Sequence, residues 1–368
     1  MTRLLLVLSL LLLTSTAARA EPVHLRDLAG REVVLAQPAR RLLLGEGRLI
    51  HAIALLEHED PTAVIAGWMD DFHRLDPAGY AQYLARFPGI ARIPVVGTTT
   101  AASFSVEAVL ALQPDLVVLG LGGGHSPGES SEVVAQLGRA GIPVVFVDFR
   151  QHPLHNTAPS LRLLGEAIGR GREAAAFIDF HQAHLDRIAA RLAASAPARP
   201  SMLMEMRASA SRPCCASPGD GNLGELIDFA GGQNIGKAIV PGVLGQLNLE
   251  YVVVTDPMVY VATGAGAAAD GSAPHLGTGV SAAQAEASLR GTVARPGIAT
   301  LTAVRAGRAH ALWHHFYSSP FNLLAAEALA VWLHPDLFAD LDPAATMAEM
   351  NRRFLAVPME GTFWTSLK

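Results

Sequence analysis

Nine short apolar runs recur along the chain, and each leads into a stretch with helical character. In the first half they are 41–45, 63–67, 93–97, 116–120 and 144–148, the first four of them closed by glycine. In the second half they are 202–206, 252–255, 259–263 and 309–313. A strand that alternates apolar and polar residues buries one face, whereas a run that is apolar throughout buries both. Burial on both faces requires helices above and below the sheet. The pattern therefore predicts an α/β fold built on parallel strands.

The recurrence is interrupted once, in the middle. From Asn156 the apolar period becomes helical, with Leu161, Leu164 and Ile168 on one stripe and Pro159 near its start. Gly169-Arg170-Gly171 breaks that stripe, and 172–194 then reads as one long helix carrying Phe177, Ile178, Leu185, Ile188 and Leu192. At the rise of an α-helix it would be about 35 Å long. Pro197 and Pro200 stop it. A chain of 368 residues exceeds what one core usually organises. The expected organisation is two α/β lobes, 21–155 and 197–368, joined by linking helices over 156–196. Residues 323–333 add a further helix after the last run.

The first twenty residues read as a cleavable export signal. Arg3 supplies a positive start, Leu4–Leu13 is apolar except for Ser9, and Ala18-Arg19-Ala20 precedes Glu21 as a small-x-small cleavage site. Ten apolar residues are too few to span a bilayer, which weighs against a membrane anchor. No cysteine follows the cleavage site, so lipid attachment there is not expected. Composition narrows the function further. With 28 Lys+Arg against 33 Asp+Glu the net charge is -5; without Arg3 and Arg19 it is 26 against 33, or -7. No basic run remains to track a phosphate backbone, so a nucleic-acid partner is not expected.

The only cysteines, Cys214 and Cys215, are adjacent. They are a vicinal disulfide, two free thiols or part of a soft-metal site. Two neighbouring cysteines without partners make a poor zinc site, which wants about four converging ligands, so a local structural role is the favoured reading. A weak internal repeat relates the two lobes: 105–118 is echoed by 248–261. In each copy a glutamate, Glu107 or Glu250, lies seven residues before a proline that opens an apolar strand. Alone, each glutamate reads as a helix N-terminal charge favoured by the dipole. Their matched placement asks for more.

The phrases SVEAVLALQPDLVVLG, GIPVVFVD, ELIDFAGGQNIG and AVRAGRAHAL, between LRDLAGREVVLAQPARRLLL and LAAEALAVWLHPDLF, occur in that order. In this the chain resembles the periplasmic binding proteins of ABC importers for iron–siderophore complexes, cobalamin and haem. The resemblance covers nearly all of the chain after residue 20. It implies the class III architecture, two α/β lobes on one long helix, with a ligand cleft between them and little hinge motion. It implies a soluble periplasmic protein that is no enzyme, carries no cofactor of its own and binds a small-molecule metal chelate. A ferric siderophore is the first expectation, with haem or cobalamin as alternatives. It also implies that Glu107 and Glu250 dock on arginines of an inner-membrane permease, itself driven by ATPase subunits.

Open parallel sheets present ligands at the carboxyl ends of their strands. That rule selects Glu46, Arg48, Trp68, Asp70, His73, Thr98–Thr100 and the loop 122–125 with His125 in the first lobe. In the second it selects Arg207, Arg212 and Trp313-His314-His315-Phe316-Tyr317. From these, Arg48, Trp68, His125, Arg207, Trp313, His314 and Tyr317 are the expected ligand-binding set, with no resident metal assigned. Guanidinium groups suit an anionic chelate, and the aromatic rings could line a flat apolar wall. His125, His314, His315 and Tyr317 could also reach iron or haem iron. His152, His155, His181, His184 and His334 lie away from strand ends and are expected at the surface. No nucleophile elbow, Walker loop or His-Glu-x-x-His occurs. A metal-binding enzyme on a similar two-lobed scaffold is the rival reading from another class.

Overall fold

The structure is a computed structural model that describes residues 21–122, 124–266 and 273–367. The expected export signal, 1–20, lies outside the described residues. The first lobe is a five-stranded parallel sheet: β1 (Leu42–Leu44), β2 (Ile65–Met69), β3 (Val95–Gly97), β4 (Leu116–Gly120) and β5 (Val144–Val147), in the order β3-β2-β1-β4-β5. Successive side chains of a strand point to opposite faces, and here each face finds its own core. Leu42, Leu44, Val118 and Val145 enter the main core, while Leu43, Val117, Leu119 and Phe146 enter a second one on the other side. This is why those strands are apolar at every position.

The second lobe holds β6 (Ser201–Glu205), β7 (Gln233–Asn234), β8 (Val259–Gly264), β9 (Ala309–Trp313) and β10 (Trp364–Ser366), ordered β7-β6-β8-β9-β10. All neighbours are parallel except β10, which runs antiparallel to β9 at the edge. In each sheet the chain reverses direction beside a central strand, β1 in the first lobe and β6 in the second. That reversal opens a crevice at the carboxyl ends of the strands.

The lobes are joined by two helices, Pro153–Ile168 and Gly171–Ser195. The first starts with proline at its opening position and ends at Gly169, whose φ of 73° is the left-handed cap that glycine adopts cheaply. The second has 25 residues, about 37 Å at the usual rise. Its buried face (Phe177, Phe180, Leu185, Ile188) belongs to the same core that runs from Leu25 to Leu329. One continuous core packs against both sides of the strut.

Three expectations need correction. The run 252–255 is no strand: it lies in the helix Leu249–Thr255, whose start is capped by Asn248. Three consecutive valines carry strand propensity, but only Val252 is buried, while Val254 is 85% exposed. That is one face of a short helix, not a strand covered on both sides. His181 and His334 are buried rather than at the surface. His181 sits on the inner face of the linking helix, where its Nε2 meets Asn322 Oδ1 at 2.9 Å. His334 packs at the end of helix Asn322–Leu333, with Nε2 3.2 Å from the Gly231 carbonyl.

Candidate functional site

Between the carboxyl ends of the two sheets lies a cavity of about 720 Å³. The first lobe contributes Arg74, Leu75, Pro77, Thr99, Thr100 and His125. The second contributes Arg207, Ala208, Ser209, Ser211 and Arg212 after β6, Gly264–Gly266 at the end of β8, and His314, His315 and Tyr317 after β9. No carboxylate lines it among the described residues. Arg74 is held by Asp70, Nε to Oδ2 at 2.7 Å. Arg207 and Arg212 have no ion pair among the described residues. Partial burial, with Arg212 nearby, pulls Arg207 below the usual arginine value. A guanidinium so placed stays charged at any physiological pH and gains from an anion that enters.

Beneath the cavity is a buried polar knot that ties the lobes together. Arg48 follows β1 and is 2% exposed. Its Nε donates to Asp71 Oδ2 at 2.8 Å, and one terminal nitrogen donates to Tyr317 Oη at 2.9 Å and Ser318 Oγ at 3.0 Å. The same nitrogen lies 3.2 Å from His315 Nδ1, which must accept. Asp71 also accepts from the Gly47 backbone N–H. Burial opposes the charge on Arg48, but Tyr317, Asp71 and Glu46 outweigh it, so its proton is held more tightly than usual. The charge on Arg48 has the opposite effect on the histidines. Burial first, then Arg48, lowers His51 to about 3 and His315 well below its ordinary range. His314 is lowered by burial and by Arg207. Both cavity histidines beside Tyr317 are therefore neutral at pH 7, and the Nδ1 lone pair of His315 is already engaged by Arg48.

The donor set spans both lobes. His125 Nε2 lies 3.4 Å from Tyr317 Oη, and its Nδ1 is 2.7 Å from the Thr99 carbonyl. A carbonyl can only accept, so Nδ1 carries a proton and Nε2 is the ring atom turned towards Tyr317. The His314 ring lies tilted against the Tyr317 ring, centroids 4.7 Å apart, and its Nδ1 meets Thr263 Oγ1 at 2.9 Å. A phenol and two imidazoles offer one-sided coordination to a hard or borderline metal. They do not form a closed cage. Among the described residues the single convergent trio of His, Cys, Asp or Glu ligand atoms is Glu205, Cys214 and Cys215, within 4.8 Å of one another. Cys214 and Cys215 are joined as a vicinal disulfide. Glu205 is taken up by Arg295 and by Tyr260 Oη at 2.6 Å. That trio is a structural lock, not a metal centre.

The structure thus brings together His125, Arg207, His314 and Tyr317 at the cavity, and places Arg48 directly beneath it. Trp68 and Trp313 stand elsewhere. Trp68 is 3% exposed among Phe72 and Tyr80 inside the first lobe, and Trp313 is 2% exposed against His51, Phe316 and Phe363. Trp68 lies one residue before the end of β2 and Trp313 ends β9, but each side chain turns into the core, where an indole buries far more apolar surface. Asp71, Ser318 and Thr263 were missed by the sequence reading. Asp71 lies one residue beyond Asp70, which that reading selected, and only the direction of the chain after β2 decides which carboxylate turns inward. Glu107 and Glu250 are exposed in the first turns of matching seven-residue helices, Val106–Leu112 and Leu249–Thr255. Each helix is capped by a side-chain oxygen, from Ser105 or Asn248, and each ends in a left-handed residue, Gln113 or Asp256.

Among the described residues no helix is long and apolar enough to cross a membrane. No curated protein matches the chain at a significant level. Solved structures do. The TroA-like periplasmic binding protein FepB from Veillonella parvula superposes with a TM-score of 0.83 at 26% identity, covering 94% of this chain and 100% of its own. MolA of Haemophilus influenzae, a periplasmic protein solved with molybdate, gives 0.66 at 18% identity over 90% of this chain and 97% of its own. A periplasmic heme-binding protein from Pseudomonas aeruginosa gives 0.56 at 20% identity over 81% and 94%. The last two are likenesses of fold alone. The model of the periplasmic binding protein family matches residues 58–312. With two parallel α/β lobes, a linking helix and a cleft at their strand ends, the chain belongs to the periplasmic binding protein family, the solute-binding components of ABC importers.

Proposed function

We propose that this protein captures an anionic metal chelate, a ferric siderophore foremost, and presents it to an inner-membrane ABC permease without chemical turnover. One observation carries the reading: a cavity of about 720 Å³ without a carboxylate among its described lining residues, flanked by Arg207 and Arg212, which have no ion pair among the described residues, with Tyr317 and two neutral histidines on one side. A bare dication would want converging carboxylates or a closed imidazole set. A chelate that brings its own ligands wants a cationic wall and one or two donors to fill open positions. The cavity size suits a drug-sized molecule rather than an ion. Haem is the second reading, favoured specifically by Tyr317 Oη facing His125 Nε2.

Native mass spectrometry with tryptophan-fluorescence titration against ferric siderophores, haem, cobalamin, Zn²⁺ and Mn²⁺ tests this. Tight binding of a bare ion with none of the chelates would reject the cargo class. A Soret band abolished in Tyr317→Phe would reassign the cargo to haem. Export to the periplasm by residues 1–20, without lipidation, belongs to the same proposal. So does docking through Glu107 and Glu250: both are exposed, and neither is held by an ion pair among the described residues. Exposed charges at a rim steer and orient a partner more than they bind it.

A further inference from the structure

We infer that Cys214–Cys215 is a reversible redox modification site whose state sets the position of Arg212 at the cavity. The inference rests on the cavity being the cargo site, but its test does not. The segment 206–215 leaves β6 and carries Arg207, Ser209, Ser211 and Arg212 into the cavity wall. Its first half is pinned without the disulfide. Arg207 N–H donates to Thr263 Oγ1 at 2.8 Å, Ala208 N–H donates to the Thr263 carbonyl at 3.1 Å, and buried Arg295 donates to the Ser209 carbonyl at 3.1 Å.

The second half is held differently. Arg212 N–H reaches the Ser209 carbonyl at a long 3.4 Å, and the Pro213 carbonyl accepts from Gln246 Nε2 at 3.3 Å. Beyond them the disulfide joins neighbouring residues, so its ring contains their own backbone and fixes it. Cys215 is fully buried and exchanges two backbone hydrogen bonds with Leu247, at 3.1 and 2.9 Å. Opening the ring returns backbone dihedrals to the chain just beyond Arg212, separated from it only by Pro213, and ordering them again on cargo binding costs affinity. Arg207, on the pinned half, should not feel it.

The chemistry is thiol–disulfide exchange with a dithiol. A thiolate of the dithiol attacks the half-buried Cys214 sulfur and forms a mixed disulfide. Its second thiolate then resolves that bond. Cys214 and Cys215 gain two electrons and two protons, and the dithiol leaves as its own disulfide.

The test compares the full chain before and after dithiothreitol, with completeness set by a mass gain of about 2 Da for two hydrogens. Amide exchange at 211–215 should rise at least tenfold, while that at 207–208 changes less than twofold. Cys214→Ser with Cys215→Ser should reproduce the reduced pattern. Ferric citrate serves as the anionic probe. Reduction should weaken its binding severalfold in the parent and in Arg207→Ala but have no effect in Arg212→Ala, a non-additivity that marks coupling. A disulfide that resists excess dithiothreitol in the native chain overturns the inference. So does unchanged exchange at 211–215 after full reduction, or an equal loss of ferric citrate binding in the Arg212→Ala protein. If ferric citrate binds neither form, the exchange result alone decides the redox site, and the cargo reading is decided by the chelate panel.

Discussion

The cavity has a floor and a wall, and both are built on arginine to opposite ends. On the floor, Arg48 is surrounded by Asp71, Glu46, Tyr317 and Ser318, and every terminal group is spoken for. On the wall, Arg207 and Arg212 have no ion pair among the described residues. A buried ion pair contributes little net stability but is costly to break, so the floor residue serves to fix the lobes and hold Tyr317 in place. An unpaired guanidinium beside a cavity adds nothing to folding and has its full charge to offer a ligand. The same side chain is scaffold in one place and recognition element in the other, and its partners decide which.

The contrast can be broken most strongly with pH. His51 and His310 are held down to about 3 by burial, aided by Arg48 and Arg308 respectively. Their unfolded value is near 6.5, so between pH 6.5 and 3 the unfolded chain binds protons that the folded chain refuses. Stability is then full above pH 6.5 and is lost as pH falls towards 3. Each such histidine contributes a slope of about 1.4 kcal/mol per pH unit. Guanidinium melts across pH 7.5 to 4.5 should show this, and His51→Leu should flatten the curve. A profile as steep in His51→Leu as in the parent would remove His51 from the account.

Next in size is the floor itself. Arg48→Ala leaves Asp71 buried and unpaired and should cost about 3–5 kcal/mol of folding stability, read by the same melts. Wall substitutions should not move the melting midpoint: Arg207→Ala is expected within about 0.5 kcal/mol of the parent. Its effect belongs to binding, with an anionic chelate weakened at least tenfold, about 1.4 kcal/mol, by isothermal titration. If Arg207→Ala destabilised the fold and spared binding, the division between floor and wall would collapse. Smallest of all is the effect on affinity of Glu107→Lys or Glu250→Lys, expected at zero within error while uptake by cells carrying the cognate permease falls. A drop in chelate affinity in either variant would move that glutamate from the docking face into the cleft.

The strands were legible because a parallel sheet imposes a constraint that residue type alone can report. Leu116–Gly120 and Ala309–Trp313 run where the apolar pattern put them, since each of their residues faces a core on one side or the other. The valines at 252–254 defeated the same rule, because propensity is local and a single buried face was all the fold offered them. At the site, the strand-end rule found His125, Arg207, His314 and Tyr317. It also selected Trp68 and Trp313, whose side chains turn inward, and it passed over Asp71, whose neighbour looked the same.

What the amino-acid sequence determined by itself was therefore the period of its apolar residues, the caps and breaks of its helices, and the set of loops that must meet at the strand ends. Only the tertiary structure decided which side chain of each loop turns into the cavity and which into the core. It alone paired Arg48 with Asp71 and left Arg207 without a counter-ion among the described residues, and it alone set neutral histidines beside Tyr317. The physical reason is range. Helix and strand periodicity is fixed within a few residues, whereas charge, protonation and solvent access depend on groups more than two hundred residues apart, such as Arg48 and Tyr317, that meet only when both lobes have folded against one strut.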